Sequence, residues 1–117
     1  MSKARYEKAG RRAEILATWY LRFKGYKIIT QRFKCHRGEI DILARKSGTL
    51  IAVEVKQRYN LKAAEDSITP TLMRRVSQAT DVYVSRTPEA QTLAVRFDAV
   101  FVIGKWKIHH LKDAWRD

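Results

Sequence analysis

The chain has little cysteine, few acidic residues and no long apolar run. Its one cysteine, Cys35, has no partner within the chain for a disulfide, so we expect a reducing, cytoplasmic location. No stretch approaches the roughly 20 apolar residues of a membrane-spanning helix, and we expect no membrane partner. The basic N-terminal segment lacks a following apolar core, so it does not resemble a signal peptide.

Acidic residues are scarce relative to basic ones. The 117 residues include 24 Lys and Arg but only 12 Asp and Glu, which gives a net charge of +12. Such an excess is typical of proteins that bind polyanions, with nucleic acid first and an acidic membrane surface second. A basic protein that is merely soluble is the alternative. No repeat, low-complexity tract or linker divides the chain, so we predict a single domain over residues 1–117.

Apolar spacing predicts two helices and five strands. The first helix runs from about Glu7 to Lys24 and ends at Gly25, where a left-handed residue belongs. Thr69 and Pro70 open the second helix as N-cap and first helical residue, and Ser85 to Pro88 end it. The strands are predicted at Tyr26–Phe33, around Glu39–Leu43, around Leu50–Lys56, at Leu93–Ile103 and at Trp106–Leu111, with a polar connection over Tyr59–Ser67.

The order α-β-β-β-α-β-β predicts an α/β or α+β fold, in which helices flank a mixed sheet. The inward face of the first helix would carry alanines, leucines and one tyrosine spaced three and four residues apart. The second helix would point four such residues inward: Leu72, Val76, Ala79 and Tyr83.

The most informative segment is the hairpin built from the second and third strands. Its predicted tip is Ser47-Gly48, with glycine where a positive φ is needed. That tip places Asp41 directly opposite Glu54 on the neighbouring strand. Directly opposed like charges are destabilising, so a fold that retains them usually binds a cation or a proton there. By the same register, Glu39 would pair with Lys56 or another cation and would be structural.

Two carboxylates beside Lys56 suit a divalent-metal site for phosphate chemistry. Glu54 and Lys56 continue the apolar run Leu50–Val53, so they belong to a mostly buried strand, where unpaired charges are costly. Ordinary solvent-facing strand residues are the alternative for both, and simple strand alternation is the alternative for Asp41.

Asp41 followed by Glu54-x-Lys56 resembles the PD-(D/E)xK motif of restriction-type endonucleases and archaeal Holliday junction resolvases. Further segments occur in the same order at familiar spacing, and together they resemble the bacterial YraN-like family, regarded as resolvase-like endonucleases. These segments are Arg12-Ala13-Glu14 with Ala17 and Tyr20-Leu21, Gly25-Tyr26, Gly38–Asp41, Val53–Arg58 and Arg96-Phe97-Asp98.

The resemblance implies a restriction-endonuclease-like fold and a metal-dependent endonuclease. Asp41, Glu54 and the backbone carbonyl of Val55 would bind Mg²⁺ or Mn²⁺, which would polarise the scissile phosphate and activate a water. Lys56 would orient that water or stabilise the charge growing on the phosphate. Glu14 would complete the acidic cluster, with a helix glutamate weakly paired to Arg11 or Arg12 as an equal alternative.

Candidate contacts to nucleic acid are arginines outside this cluster: Arg37 in a basic turn, Arg58 after the motif, and Arg74 and Arg75 on the second helix. Arg96 and Asp98 share a strand face and would form a surface or sheet-edge ion pair. Three histidines, at 36, 109 and 110, lack zinc spacing and are interpreted as structural or surface residues. Cys35 shows no catalytic arrangement, and the tryptophans at 19, 106 and 115 are expected in the core or at interfaces.

Three classes of function follow from these patterns. The first is a DNA endonuclease, with RNA as an alternative substrate; the second is a nucleic-acid-binding module with a nuclease-like fold and little turnover. The third is an assembly module whose basic surface is incidental. Because resolvase-like nucleases are commonly dimers, a homodimer through the edge strand Trp106–Leu111 is a further expectation.

Overall fold

A computed structural model describes the backbone of residues 3–117 and the side chains from residue 8 onward. Within residues 3–117 the chain forms three helices, five strands and one short 3₁₀ turn. In chain order they are α1 (Lys3–Phe23), β1 (Lys27–Cys35), β2 (Gly38–Lys46), β3 (Thr49–Arg58), α2 (Leu61–Asp66), α3 (Pro70–Arg86), the 3₁₀ turn Pro88–Ala90, β4 (Ala94–Ile103) and β5 (Lys107–Trp115).

The five strands form one mixed sheet in the order β1-β2-β3-β4-β5. β1, β2 and β3 are antiparallel neighbours, β3 and β4 are parallel, and β4 and β5 are antiparallel. The connection between the parallel strands carries α2, α3 and the 3₁₀ turn, as a parallel crossover requires. The predicted α/β class is therefore confirmed, the predicted element order holds apart from the additional short helix α2, and β5 lies at the sheet edge as expected.

Helices cover both faces of the sheet. On one face Ala13, Ala17 and Leu21 of α1 pack against Ile42, Val53 and other strand residues. On the other face Val76 and Ala79 of α3 pack against β2 and β3, with Leu72 and Tyr83 at the margin. The predicted inward stripes of both helices are thus confirmed. The central strand β3 is buried on both faces from Leu50 to Val55.

Local signals in the sequence correctly mark the ends of the long helices. Gly25 follows α1 with φ +91°, a conformation that favours glycine. The hydroxyl of Thr69 accepts the backbone N–H of Leu72 at 3.2 Å, and Pro70 is the first residue of α3. These helix ends follow from residues adjacent in the chain, which is why they could be predicted.

Four local predictions were wrong. The polar connection after β3 contains α2, begun by Asn60, whose side chain accepts the N–H of Ala63 at 2.8 Å. The left-handed residue at the β2–β3 tip is Ser47, with φ +53°, rather than Gly48. β1 extends to Cys35, so its turn to β2 shrinks to two residues, and β5 extends beyond Leu111 to Trp115. Both extensions lie on edge strands and mix charged residues with Cys35, Ala114 and Trp115, so they show no regular apolar alternation.

No helix within residues 3–117 combines the length and the apolar character that a membrane crossing requires.

Candidate active site

The site lies where β2 separates from β3. The predicted register is confirmed from Lys46↔Thr49 as far as Ile42↔Val53, the last paired residues of these two strands. Asp41 then turns its carboxylate to the next strand: Oδ2 accepts the backbone N–H of Val55 at 2.8 Å. Asp41 thus takes the place of a backbone acceptor and holds its own carboxylate against β3.

The irregularity at Asp41 is visible in the burial of its neighbours. Ile42 packs on the α1 face, whereas Ile40, two residues earlier, packs on the α3 face. Residues two apart in a regular strand would share a face, so the alternation is broken at Asp41. In β1, Arg32 lies between the residues paired with Ile40 and Ile42, and it adopts φ +56°. Backbone in this region is uncommon for arginine and concentrates at functional sites.

Glu54 is the buried acid of the site, with 6% of its surface exposed. Its Oε2 lies 3.4 Å from Nζ of Lys56, its ion-pair partner two residues along β3. Burial, with the charge of Asp41 added, raises the pKa of Glu54 to about 8. Burial also raises the pKa of Asp41, against the lowering effect of its hydrogen bond from Val55. The two carboxyl groups therefore compete for charge, as the hairpin register predicted.

Glu14 reaches the same cleft from α1, but Arg32 binds its carboxylate. Nε and Nη2 of Arg32 donate to Oε2 of Glu14 at 3.1 and 2.8 Å. The expected weak pairing with Arg11 or Arg12 is replaced by this contact with β1. The bond to Glu14, together with its charge, raises the pKa of Arg32, and Asp41 adds a smaller effect in the same direction.

These groups line one open cleft of about 510 Å³ beside the N-terminal half of α1. Both acidic and basic side chains line it, so a ligand there would meet both. Its lining comprises Gly10, Arg11, Glu14, Arg32, Lys34, Glu39, Asp41, Glu54, Val55 and Lys56.

The donor atoms suit a hard divalent cation. Mg²⁺ commonly keeps several waters and uses one or two carboxylates, which Asp41 and Glu54 could supply together with the backbone carbonyl of Val55. Within the described part of the chain, no three His, Cys, Asp or Glu side chains converge into a ready ligand set. One carboxylate oxygen of Asp41 accepts the Val55 N–H, and one of Glu14 accepts Arg32.

The predicted arginines differ in how near they lie to the acids. Arg75 lines a smaller pocket of about 180 Å³ together with Glu39 and Glu54. Gly38 makes this approach possible, because a Cβ there would collide with the backbone of Arg75. Arg37 and Arg74 are exposed away from that pocket, and Arg58 is half-buried, where its Nη1 donates to the carbonyl of Gln57 at 2.6 Å.

Glu39 pairs with Lys34, at 3.9 Å, rather than with Lys56. Among the candidates from the sequence, the structure therefore brings Asp41, Glu54, Lys56 and Glu14 to one cleft. Arg75 lies at its margin.

A second polar cluster is buried on the α1 face, and the sequence indicated only part of it. Asp98 is fully buried and accepts from Arg96 (2.8 Å), from Nε2 of His110 (2.8 Å) and from the backbone N–H of Asp113 (3.0 Å). The Arg96–Asp98 pair was predicted at a surface or sheet edge, and that position is wrong, because β4 lies inside the sheet. Burial alone would raise the pKa of Asp98, but these hydrogen bonds outweigh it and lower the pKa to about 2.

The remaining histidines and aromatics divide between core and surface. His110 contacts Tyr20 and Tyr26 on the α1 face, whereas His109 stacks on Phe101, so the adjacent histidines face opposite ways as predicted. Trp115 is buried against Phe97, but the other two tryptophans, Trp19 and Trp106, are 63% and 72% exposed. Cys35 packs at the edge of the α3-side core, and His36 is exposed.

Fold and cleft together define a class of protein, a domain with a single mixed sheet between helices. Its central strand, β3, carries the buried carboxylate of Glu54 and the half-buried Lys56 near the carboxyl end of the parallel pair β3 and β4. The sequence pattern of Uncharacterised protein family UPF0102 matches residues 13–102. The chain belongs to this family, which confirms the predicted YraN-like membership.

Relatives cover most of the chain. A UPF0102 protein of Chelativorans sp. is 40% identical over 110 residues, which is 93% of this chain and 89% of the relative. One from Parvibaculum lavamentivorans is 40% identical over 107 residues, or 92% and 80% of the two chains. One from Bartonella tribocorum is 40% identical over 101 residues, or 86% and 78%. The matched region includes both strands of the acidic hairpin.

Proposed function

We propose that this protein is a metal-dependent DNA endonuclease that hydrolyses phosphodiester bonds, with branched DNA among its substrates. One observation carries the proposal. Two carboxyl groups with raised pKa, Asp41 and Glu54, share a cleft with Lys56 at the carboxyl end of the parallel strands. Retaining such a costly arrangement in a domain this small favours chemistry over structure.

Each side chain has a role that its position supports. Asp41, Glu54 and the carbonyl of Val55 would hold Mg²⁺ or Mn²⁺. The ion would supply Lewis-acid polarisation of the phosphate and an activated water. Lys56, held 3.4 Å from Glu54, is placed to stabilise the negative charge that grows on the phosphate oxygens. Glu14 shares the cleft and acts through Arg32, whose guanidinium balances the acidic charge near Asp41.

The surrounding charge favours a nucleic-acid substrate. The net charge of the chain is +12. Three of its basic residues lie near the cleft: Arg11 and Lys34 in its lining and Arg75 at its margin. Phosphate contacts of this kind make affinity fall with salt, with a slope of roughly 0.9 log units per phosphate on duplex DNA. A flat salt response would favour the assembly module instead.

One observation favours a second candidate, a nucleic-acid-binding module with little turnover. One carboxylate oxygen of Asp41 accepts a hydrogen bond from the Val55 N–H, and one of Glu14 accepts from Arg32. An acidic cluster satisfied within the protein could serve only to position the hairpin. The two candidates share the basic surface and differ in whether metal enables hydrolysis.

The test is cleavage of branched, flapped, single-stranded and linear duplex DNA in Mg²⁺, Mn²⁺ or EDTA. We expect hydrolysis only when Mg²⁺ or Mn²⁺ is present. The cleavage rate should fall at least about a hundredfold in Asp41→Asn, Glu54→Gln and Lys56→Ala. Asp41→Asn keeps an oxygen that can accept the Val55 N–H, so the hairpin should stay folded. Glu65→Gln, an exposed acid on α2, is the matched control.

Two outcomes would contradict the proposal. Undiminished cleavage by purified, folded Asp41→Asn protein would remove the active-site assignment. Salt-dependent DNA binding without cleavage of any substrate in either metal would leave the binding module as the function.

A further inference from the structure

A second groove continues the cleft along β3 toward an exposed aromatic ring. It has a volume of about 490 Å³ and shares Gly10, Val55 and Lys56 with the candidate active site. Beyond Lys56 its lining is Gln57, Arg58 and Tyr59. A nucleic-acid strand that has a phosphate at Lys56 and follows this groove would pass over the end of β3.

Tyr59 ends this groove and is 81% exposed. An exposed tyrosine ring offers an open apolar face and a polar hydroxyl, and both suit a stacking contact with a ligand. From Lys56 to Tyr59 the extended chain spans at most about 10 Å, the rise of roughly three stacked nucleotides.

The backbone on both sides of Tyr59 is fixed by hydrogen bonds. On the strand side, Gln57 Nε2 donates to the carbonyl of Gly104 at 2.7 Å, and the Gly104 N–H donates to the carbonyl of Arg58 at 2.9 Å. On the helix side, Asn60 caps α2. The exposed ring thus projects from an anchored segment, which reduces the entropy lost when a ligand stacks on it.

We infer that Tyr59 stacks on an unpaired nucleobase of the strand whose backbone occupies the cleft. Stacking needs an open base face, which bases inside a continuous duplex do not offer. Lys56 and Arg58 supply cationic contacts to the same strand. This inference rests on the proposed function and narrows its substrate class to nucleic acid with unpaired nucleotides within about three positions of the scissile phosphate.

Binding in EDTA tests the inference without any turnover. Fluorescence anisotropy would compare single-stranded DNA, single-stranded RNA of the same sequence and a blunt duplex. Tyr59→Ala should weaken single-strand binding about tenfold, the effect of losing one stacked base. Tyr59→Phe should stay within about twofold of wild type, since the ring remains. Duplex affinity should change by less than about twofold in either variant.

Phe23→Ala is the matched control. Phe23 is 92% exposed and lies on the same helix as Gly10, but about 20 Å further along its axis. The loss of this ring should leave the affinities for single-stranded DNA, single-stranded RNA and the duplex unchanged. An equal weakening of single-strand and duplex binding by Tyr59→Ala, or no weakening, would overturn the stacking site.

The two proposals fail in different ways. A selective Tyr59 effect in EDTA, together with no cleavage in metal, would refute the nuclease and leave the base-stacking site intact. Cleavage with equal rates on flapped and linear duplex DNA, unaffected by Tyr59→Ala, would keep the nuclease and refute the stacking site. The DNA and RNA arms show whether the sugar contributes to the preference.

Discussion

The carboxylate of Asp41 accepts the backbone N–H of Val55 at 2.8 Å, just beyond the last β2–β3 pair. Here a side-chain oxygen accepts a β3 backbone N–H at a point where the backbone hydrogen bonds between β2 and β3 have ended. This contact holds Asp41 against β3, in the same cleft as Glu54. The acidic site therefore lies where the backbone pairing of β2 and β3 ends.

Stability without metal should fall as pH rises through the neutral range. Glu54 has a raised pKa of about 8 in the folded protein, against 4.5 for the ordinary group. The folded state therefore holds this proton more tightly than the unfolded chain, and the free energy of unfolding decreases between about pH 4.5 and 8. Glu54→Gln should remove most of the decrease and be more stable than wild type at pH 8 by on the order of 1–3 kcal/mol.

Thermal unfolding in EDTA across pH 5–9 measures this difference. Glu65→Gln should follow the wild-type curve, because Glu65 is exposed. A Glu54→Gln protein with the same pH slope as wild type would show that Glu54 does not hold the proton.

Asp98 should be the most sensitive acid for stability. Asp98→Ala leaves Arg96 and His110 without their shared acceptor in the sheet, which should cost about 3–5 kcal/mol. The exposed Arg116–Asp113 pair is the control, and Arg116→Ala should cost less than about 1 kcal/mol.

The Asp98 carboxylate should also make the stability of the fold decrease at low pH. With a folded pKa of about 2 against 3.8 unfolded, its stabilisation is complete above pH 3.8 and is lost as pH falls toward 2. Urea unfolding at pH 7, 4 and 2.5 would measure both effects. An Asp98→Asn variant with an unchanged midpoint at pH 7 would contradict the assigned role of the charge.

Gly38→Ala should destabilise the fold by about 1–3 kcal/mol, because its Cβ would collide with the backbone of Arg75 and force β2 and α3 apart. Gly48→Ala is the matched control, since a Cβ there meets no atom within 4 Å. Urea midpoints of the two variants decide the prediction, and equal midpoints would contradict it. A shift of Arg75 should also weaken DNA binding more than the Gly48 control does.

Arg32→Asn should tighten binding of Mn²⁺ several-fold by freeing the Glu14 carboxylate and removing a cation near Asp41. Asparagine tolerates the positive φ at this position, so the strand should be retained. Calorimetric titration with Mn²⁺ measures the change. A double variant with Glu14→Gln should lose the gain; if it keeps the gain, Glu14 is not the group released.

Much of the fold could be predicted because it depends on local patterns. The α1 stripe, the Thr69–Pro70 helix start and the Ile42↔Val53 register each follow from residues close in the chain. The helix α2 was missed, because six residues with one buried alanine, Ala64, carry almost no periodic signal.

The site was predictable in part for the same reason. The hairpin register predicted that Asp41 and Glu54 lie close together, and in the structure they line one cleft. The bond between Glu14 and Arg32 joins residues 18 apart in the chain on different elements, and no local pattern encodes it. The packing of Gly38 against Arg75 is likewise a contact between a strand and a distant helix.

The sequence by itself determined the charge, the secondary structure near the helix caps, and the proximity of two acids in a short hairpin. Tertiary structure decided which charges are buried, which partner each acid takes, and that β4 with Asp98 lies inside the sheet. The physical reason is range. Capping and hairpin pairing act between near neighbours, whereas desolvation and ion pairing depend on which distant segments pack together.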